Sequence, residues 1–343
     1  MTTMKAFRLV GWQKPPVFED VAVPAPRADE VLVEVAAVGL CHTDVHFLHA
    51  AEGDFPYPIP FTLGHEIAGR IVEPGASVRD LPRDTPVAVA LGPRCWRCLA
   101  CLRGEDNLCM RRASGRGWGQ DGGLARYVAV PVREAVPLGA LDPVLAAPLT
   151  DAGVTAHHAV RRVAPKLRGD ATAVVIGVGG LGGFAVQLLR QLTSARIVAI
   201  EASDAKRIRA KALGADLVLG PDEASAERLR AETHGLGAEA ILDFVGVDAT
   251  MHLALAAARI GGAIAIVGAG GGRASVGWGL LPNNCDLFIP QGGTTADLHD
   301  VVALANAGRL QIDVERFAFE RTAEGYAQVE AGRVAGRAVV TLD

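Results

Sequence analysis

The sequence predicts an α/β protein: a doubly wound parallel sheet of six strands beside an irregular, β-barrel-like domain. Two patterns carry that expectation. From about Asp151 onward, short apolar strands alternate with helical segments, as in a parallel sheet covered on both faces. Before that point, short β-patterns are broken repeatedly by Pro and Gly. Scale agrees, because 343 residues, half of them hydrophobic, supply more than one small core needs.

Taken in order, residues 1–150 hold EVLVEVAAVGL, EIAGRIVEPG, TPVAVALG and LARYVAVP, which read as the barrel-like strands. Residues 151–290 hold ATAVVIG, ARIVAIE, ADLVLG, AEAILDFVG, GAIAIVG and DLFIP, with helical stretches such as KRIRAKALG between them. Six such strands complete a dinucleotide-type sheet. The tail, 291–343, is mixed helix and strand and is expected to fold back onto the first domain.

Charge is balanced, with 34 Lys and Arg against 38 Asp and Glu, and no long single-sign run. That excludes a polybasic nucleic-acid footprint. The uncharged stretch Ala171–Leu189 is long enough to cross a bilayer, but its glycines make it a strand, a turn and a helix. No membrane partner is expected. The start lacks the apolar block of a secretory signal, and a cytoplasmic location is expected.

Four of the six cysteines, Cys95, Cys98, Cys101 and Cys109, crowd into one polar lobe at about 92–112. Their spacing allows four thiolates to meet at one tetrahedral ion. Zinc is favoured over an iron–sulfur cluster, since the lobe has no evident electron partner. A closed four-ligand shell holds structure and leaves no position for chemistry. Cys285 reads as a buried, inert thiol.

The strand ending at Gly177 leads into Gly177-Val178-Gly179-Gly180-Leu181-Gly182 and then an apolar helix. In this pattern the first glycine turns the chain, the second lets backbone approach a pyrophosphate, and the third packs helix on strand. Glu201 ends the next strand, where a carboxylate accepts from ribose hydroxyls and repels a 2′-phosphate. NAD is therefore expected over NADP. The later cluster Gly268–Gly272 lacks a following amphipathic helix and reads as a loop over the cofactor.

Cys41-His42-Thr43-Asp44-Val45-His46 is the densest run of functional side chains, followed by Gly64-His65-Glu66 and, much later, Asp151. A thiolate, an imidazole and a carboxylate from three segments can bind one zinc and keep a fourth position open. Singly, each residue has a plainer use: Cys41 as a buried apolar group, His65 as a core histidine, Asp151 as a helix cap.

Together these motifs, with DAGVTAHHA from Asp151 and the Gly336–Val340 segment, make the chain resemble the zinc-dependent medium-chain alcohol dehydrogenases nearly end to end. The resemblance implies a GroES-like catalytic domain over 1–150 and 291–343 and a Rossmann NAD-binding domain over 151–290. It implies that Cys41, His65 and Asp151 hold a catalytic zinc, that Glu66 enters the shell during exchange, and that Asp44 orients the ligand histidine. Thr43 and His46 match a proton relay. His42, Thr155, Lys206, Val245, Val267, Gly268 and Arg337 match cofactor positions, beside Gly177, Gly179, Gly180, Leu181, Gly182 and Glu201. Two zinc ions per chain, reversible oxidation of small alcohols, and a homo-oligomer, with a tetramer favoured, follow from the same resemblance.

Two departures stand out. Most members carry cysteine where this chain has Asp151, and an oxygen donor leaves the metal somewhat more Lewis acidic. Glutamate replaces the commoner aspartate at Glu201, and its longer arm still reaches ribose hydroxyls. Phe55, Tyr57, Trp118 and Leu280 are expected in the substrate pocket, and their apolar character favours hydrophobic alcohols and ketones. The alternatives are a polyol or amino-alcohol dehydrogenase, a non-catalytic zinc- and nucleotide-binding protein, and a zinc-free quinone reductase. The last has no use for Cys41, His65 and the thiolate lobe.

Overall fold

The computed structural model describes residues 2–92, 94–111, 114–222 and 225–342. Within the expected four-cysteine lobe, positions 93 and 112 lie outside the described residues. The chain forms two compact units, one from Met1–Val154, Thr294–Gly308 and Ile312–Asp343, the other from Thr155–Gly293 with Arg309–Gln311. The first break falls within the helix Ala152–Val163, not ahead of it at 151. A change in sequence pattern marks where a helix begins, whereas a compact unit can divide partway along one. The short return 309–311 joins the second unit through a reciprocal amide pair. There Gln187 Nε2 donates to Gln311 O at 3.1 Å, and Gln311 N donates to Gln187 Oε1 at 2.7 Å.

In the first unit the strand Glu30–Gly39 is the spine. It pairs antiparallel with Glu66–Pro74 along one edge, and with both Tyr127–Pro131 and Arg337–Thr341 along the other. The sheet extends through Pro86–Val89 to Ala135–Pro137 on one side and through Val314–Ala318 on the other. A separate three-stranded sheet joins Val17–Ala22, Thr3–Leu9 and Phe61–Thr62. Val33, Val38, Ile67, Ile71 and Leu124 are fully buried between these layers. Each such side chain contributes about 1.5–3 kcal/mol relative to exposure, so the pairing register is held firmly. The C-terminal strand Arg337–Thr341 belongs to this sheet.

The second unit is a six-stranded parallel sheet. Counted along the chain, its strands are Thr172–Ile176, Arg196–Ile200, Leu217–Leu219, Ala238–Asp243, Ala258–Ile266 and Asp286–Phe288. In space they run third, second, first, fourth, fifth, sixth. All five residues of Thr172–Ile176 are buried, the mark of a strand covered on both faces, and four of them are β-branched. Strand order reverses between the first and fourth strands, and ligands bind such sheets at that switch point. No helix among the described residues is long and apolar enough to cross a membrane.

Candidate functional site

In the first unit, strand register assembles the site. Gly39 pairs with Glu66 on one side and with Val339 on the other. Chain continuity then places Cys41 just past Gly39, His65 just before Glu66, and Arg337 two residues before Val339. A side chain on Gly39 would collide with the Glu66 carboxylate, so glycine is required for this approach. Asp151 arrives from elsewhere, directly after the buried turn Ala147–Thr150.

Cys41 Sγ lies 3.4 Å from Asp151 Oδ2, and His65 Nε2 lies 3.5 Å from the same oxygen. Donors tetrahedrally placed around one zinc are separated by about 3.3–3.8 Å, given bond lengths of about 2.0–2.3 Å. The fit is close. Glu66 adds a buried carboxylate whose Oε2 has no hydrogen-bond partner among the described residues, an orphan that a cation would satisfy. One sulfur, one imidazole nitrogen and carboxylate oxygens form the mixed donor set that suits zinc.

A second layer fixes these groups. Asp44, fully buried on the helix His42–His49, accepts from His65 Nδ1 at 3.0 Å, which leaves Nε2 facing Asp151 Oδ2. Burial alone would lower the His65 pKa. The Asp44 charge and the hydrogen bonds with Asp151, Asp44 and Cys41 outweigh it and raise the pKa well above its ordinary value. Protons and a cation therefore compete for the same nitrogen. Arg337, expected at the cofactor, seats its buried guanidinium on Glu66 in an ion pair. The physical reason is that a buried carboxylate and a buried guanidinium each require a partner.

The expected relay residues share the helix His42–His49. His42 and His46 are exposed, with rings edge to face at 5.3 Å, and Thr43 is half-buried. Desolvation first, and then the charges of His42 and His49, lower the His46 pKa. Beside the donors, Trp118 stacks parallel on His65 at 5.9 Å, and Phe55 stacks on Tyr57 at 5.7 Å. Phe47 meets both of the latter edge to face. Leu280, the fourth expected pocket residue, is exposed in the second unit.

The four-cysteine lobe is built differently. Cys98 Sγ and Cys101 Sγ are 3.5 Å apart, and Cys95 Sγ and Cys101 Sγ 3.9 Å. These separations are too long for a disulfide and suit sulfurs about one ion. Backbone N–H donors of Cys101 and Met110 push the Cys98 thiol down to about 6, while burial and the neighbouring thiols push Cys101 up to about 12. Buried ion pairs that the sequence reading missed tie the lobe down. Arg94 pairs with Asp106, and Arg116 with Glu134, which also accepts from Arg94 N. Asp106 in turn accepts from Thr295 Oγ1 at 2.7 Å. No local pattern announces such distant partners.

In the second unit, Gly177 turns the chain at φ +81° and the helix Gly180–Leu192 starts from Gly179. A side chain on Gly182 would strike the Gly177 carbonyl, whereas one on Gly179 would meet nothing within 4 Å. That open backbone, at a helix start whose first N–H groups lack intrahelical acceptors, is the cradle a pyrophosphate would fill. Glu201 carries a surprise. Its Oε2 accepts from Val178 N at 2.7 Å and so braces the glycine turn, while its Oε1 accepts from Ser203 N at 2.9 Å in the loop that follows its own strand. Val245 and Gly268 approach closely at the ends of the fourth and fifth strands, where Gly268 has no room for a side chain. Val267 donates its N–H to Asp243 O at 2.8 Å in the same place. Lys206 is half-buried on the helix Asp204–Ala212, and Thr155 is buried.

Residues 27–140 match the family described as alcohol dehydrogenase GroES-like domain, and residues 180–305 match zinc-binding dehydrogenase. The chain is 34% identical to D-arabinose 1-dehydrogenase (NADP(+)) of Saccharolobus solfataricus, across 99% of this chain and 98% of that protein. It is 33% identical to NAD-dependent alcohol dehydrogenase of Sulfurisphaera tokodaii, across 98% and 99%. Among solved structures, the alcohol dehydrogenase of Aeropyrum pernix superposes with a TM-score of 0.92 at 32% identity, covering 98% of this chain and 100% of that one.

Proposed function

The chain belongs to the zinc-dependent medium-chain alcohol dehydrogenase family and is an oxidoreductase acting on CH–OH with NAD; on that premise we propose that its substrates are secondary or otherwise hydrophobic alcohols and the matching ketones or aldehydes. The observation that carries this reading is the trio Cys41, His65 and Asp151, whose donor atoms lie at zinc-ligand separations under the stacked ring of Trp118. Zinc held there would supply the Lewis acidity that lowers the pKa of an alcohol, and NAD would supply the hydride acceptor.

The protein's own residues do the rest. Asp44 holds the His65 Nδ1 proton, so the opposite nitrogen is a donor of fixed direction. Arg337 neutralises part of the Glu66 charge and leaves Oε2 free to approach a cation. Trp118 covers one face of His65 and keeps water from it. Thr43 and His46 are proposed to carry the substrate proton outward, and the lowered His46 pKa keeps that imidazole a neutral acceptor near pH 7. We further propose a second, structural zinc at Cys95, Cys98, Cys101 and Cys109, pyrophosphate at Gly177–Gly182, and a cytoplasmic homo-oligomer, tetrameric by family analogy.

The aromatic group Phe47, Phe55, Tyr57 and Trp118 favours apolar substrates. The D-arabinose dehydrogenase relative favours a second reading, oxidation of a polyol or sugar. A panel of primary, secondary and polyhydric alcohols with NAD and NADP, repeated after a chelator, separates them. We expect NAD reduction by secondary alcohols, lost on chelation, and two zinc ions per chain by elemental analysis. Higher kcat/KM for polyols would overturn the substrate assignment.

A further inference from the structure

Tyr326 lies on the helix Thr322–Glu330, far along the chain from the site, yet its hydroxyl donates to Asp44 Oδ2 at 3.1 Å. Asp44 is fully buried and Tyr326 is 3% exposed, so water does not stand in for either. The Asp44 carboxylate therefore depends on protein donors alone. Oδ1 takes the His65 Nδ1 proton at 3.0 Å. Oδ2 has a long contact from the Cys41 backbone N–H at 3.4 Å and the shorter one from Tyr326. A buried carboxylate with an underused oxygen is costly and is free to swing about its side-chain torsion.

We propose that Tyr326 is a positioning residue for the metal-binding histidine, acting through Asp44, so that the run Tyr326–Asp44–His65 sets both the direction and the donor strength of His65 Nε2. The inference rests on the reading that His65 holds a cation. With the hydroxyl in place, Oδ2 is pinned and Asp44 shares its basicity between two donors. Without it, the carboxylate loses its anchor and draws harder on the Nδ1 proton, which alters the field at the metal. Packing gives Tyr326 little freedom to do otherwise. Its ring stacks on Phe7 at 6.3 Å, and the preceding residue, Gly325, lies so close to Leu40 that an added Cβ would come within 2.6 Å of its Cδ1.

The test is Tyr326→Phe, which removes one oxygen and keeps the ring. Metal release to a chelator is followed in the zinc protein, using the phase that disappears in His65→Ala, and visible absorption is recorded after replacing zinc with cobalt. We expect release several-fold faster, less than the about 10–100-fold loss that removing a ligand's direct partner causes, with a displaced cobalt band. In an Asp44→Asn background the same change should have no further effect, because Tyr326 acts only through Asp44. Val329→Ala, a truncation on the same helix, serves as the packing control. Release and spectrum like wild type in Tyr326→Phe, equal shifts in Val329→Ala, or an undiminished effect in Asp44→Asn would each overturn the assignment. Wild-type protein with no metal beyond the four-sulfur lobe would overturn the site reading, and this inference with it.

Discussion

Among the described residues the first unit brings together two clusters of metal-ligand side chains, and their surroundings differ more than their donors do. At Cys95, Cys98, Cys101 and Cys109 the sulfurs contact one another and the backbone N–H groups of their own short segment. Leu99, Leu102 and Met110 around them are exposed. At Cys41, His65 and Asp151 the donors come from three separate segments, with buried polar groups behind the site: Asp44 under His65, and Arg337 under the adjoining Glu66. A knot closed by local spacing can only hold shape. A site assembled across the fold, with one carboxylate oxygen unpartnered, is equipped to exchange ligands.

The largest effect expected from this contrast is a split between activity and stability. Asp151→Ala should reduce turnover by more than the about 10–100-fold that loss of an outer-shell partner costs, with little change in Tm and with NAD binding retained. Cys101→Ser should do the reverse, lowering Tm by several degrees or more while molecules still folded keep their kcat, since a structural zinc contributes folding free energy outright. Steady-state kinetics beside thermal melts and a metal count decide the matter. If Asp151→Ala unfolds the protein, or if Cys101→Ser abolishes turnover in folded molecules, the two clusters are not specialised as argued.

A sharper probe lies at Gly39. An added methyl there would collide with the Glu66 carboxylate, so Gly39→Ala should push Glu66 off Arg337 and misplace Cys41 two residues on. Overpacking a core costs about 1–3 kcal/mol. The expected result is a modest fall in Tm with a disproportionate loss of kcat and of catalytic metal, and no loss of metal from the four-cysteine lobe. Equal loss from both clusters would show that the strand pairing supports them in common.

How far the sequence revealed these features follows from the range of each interaction. The six parallel strands, the glycine turn and the four cysteines are written in spacings of a few residues, and each emerged as a local pattern. Cys41, His65 and Asp151 were proposed together from chemistry, and the structure brings their donor atoms within 3.5 Å of one oxygen. Tyr326 on Asp44 and Arg337 on Glu66 could not be seen, because 282 and 271 positions separate the partners and no periodicity connects them. Glu201 shows another limit. A carboxylate at a strand end suggested a ribose contact, while the backbone N–H groups of Val178 and Ser203 that also engage it carry no side-chain signature in the sequence.

The smallest expected effect concerns the pH dependence of the open site. Burial lowers the His46 pKa, and positive charge on His42 and His49 lowers it further. His49 lies on the same helix and its Nε2 is 2.8 Å from Glu330. A lowered pKa means that His46 loses its proton at a lower pH, so the acid limb of kcat/KM for alcohol oxidation should lie below 6.5, with the enzyme active above it. His49→Gln removes one repelling charge, so the His46 pKa rises and the limb moves toward higher pH. At a fixed pH on that limb the variant should be slower, while on the alkaline plateau it should match wild type. The shift is expected to be small, because an exposed charge acts through water. The four-cysteine lobe offers no such handle on the rate. A limb that stays in place in His49→Gln and also persists in His46→Gln would remove His46 from the proton path.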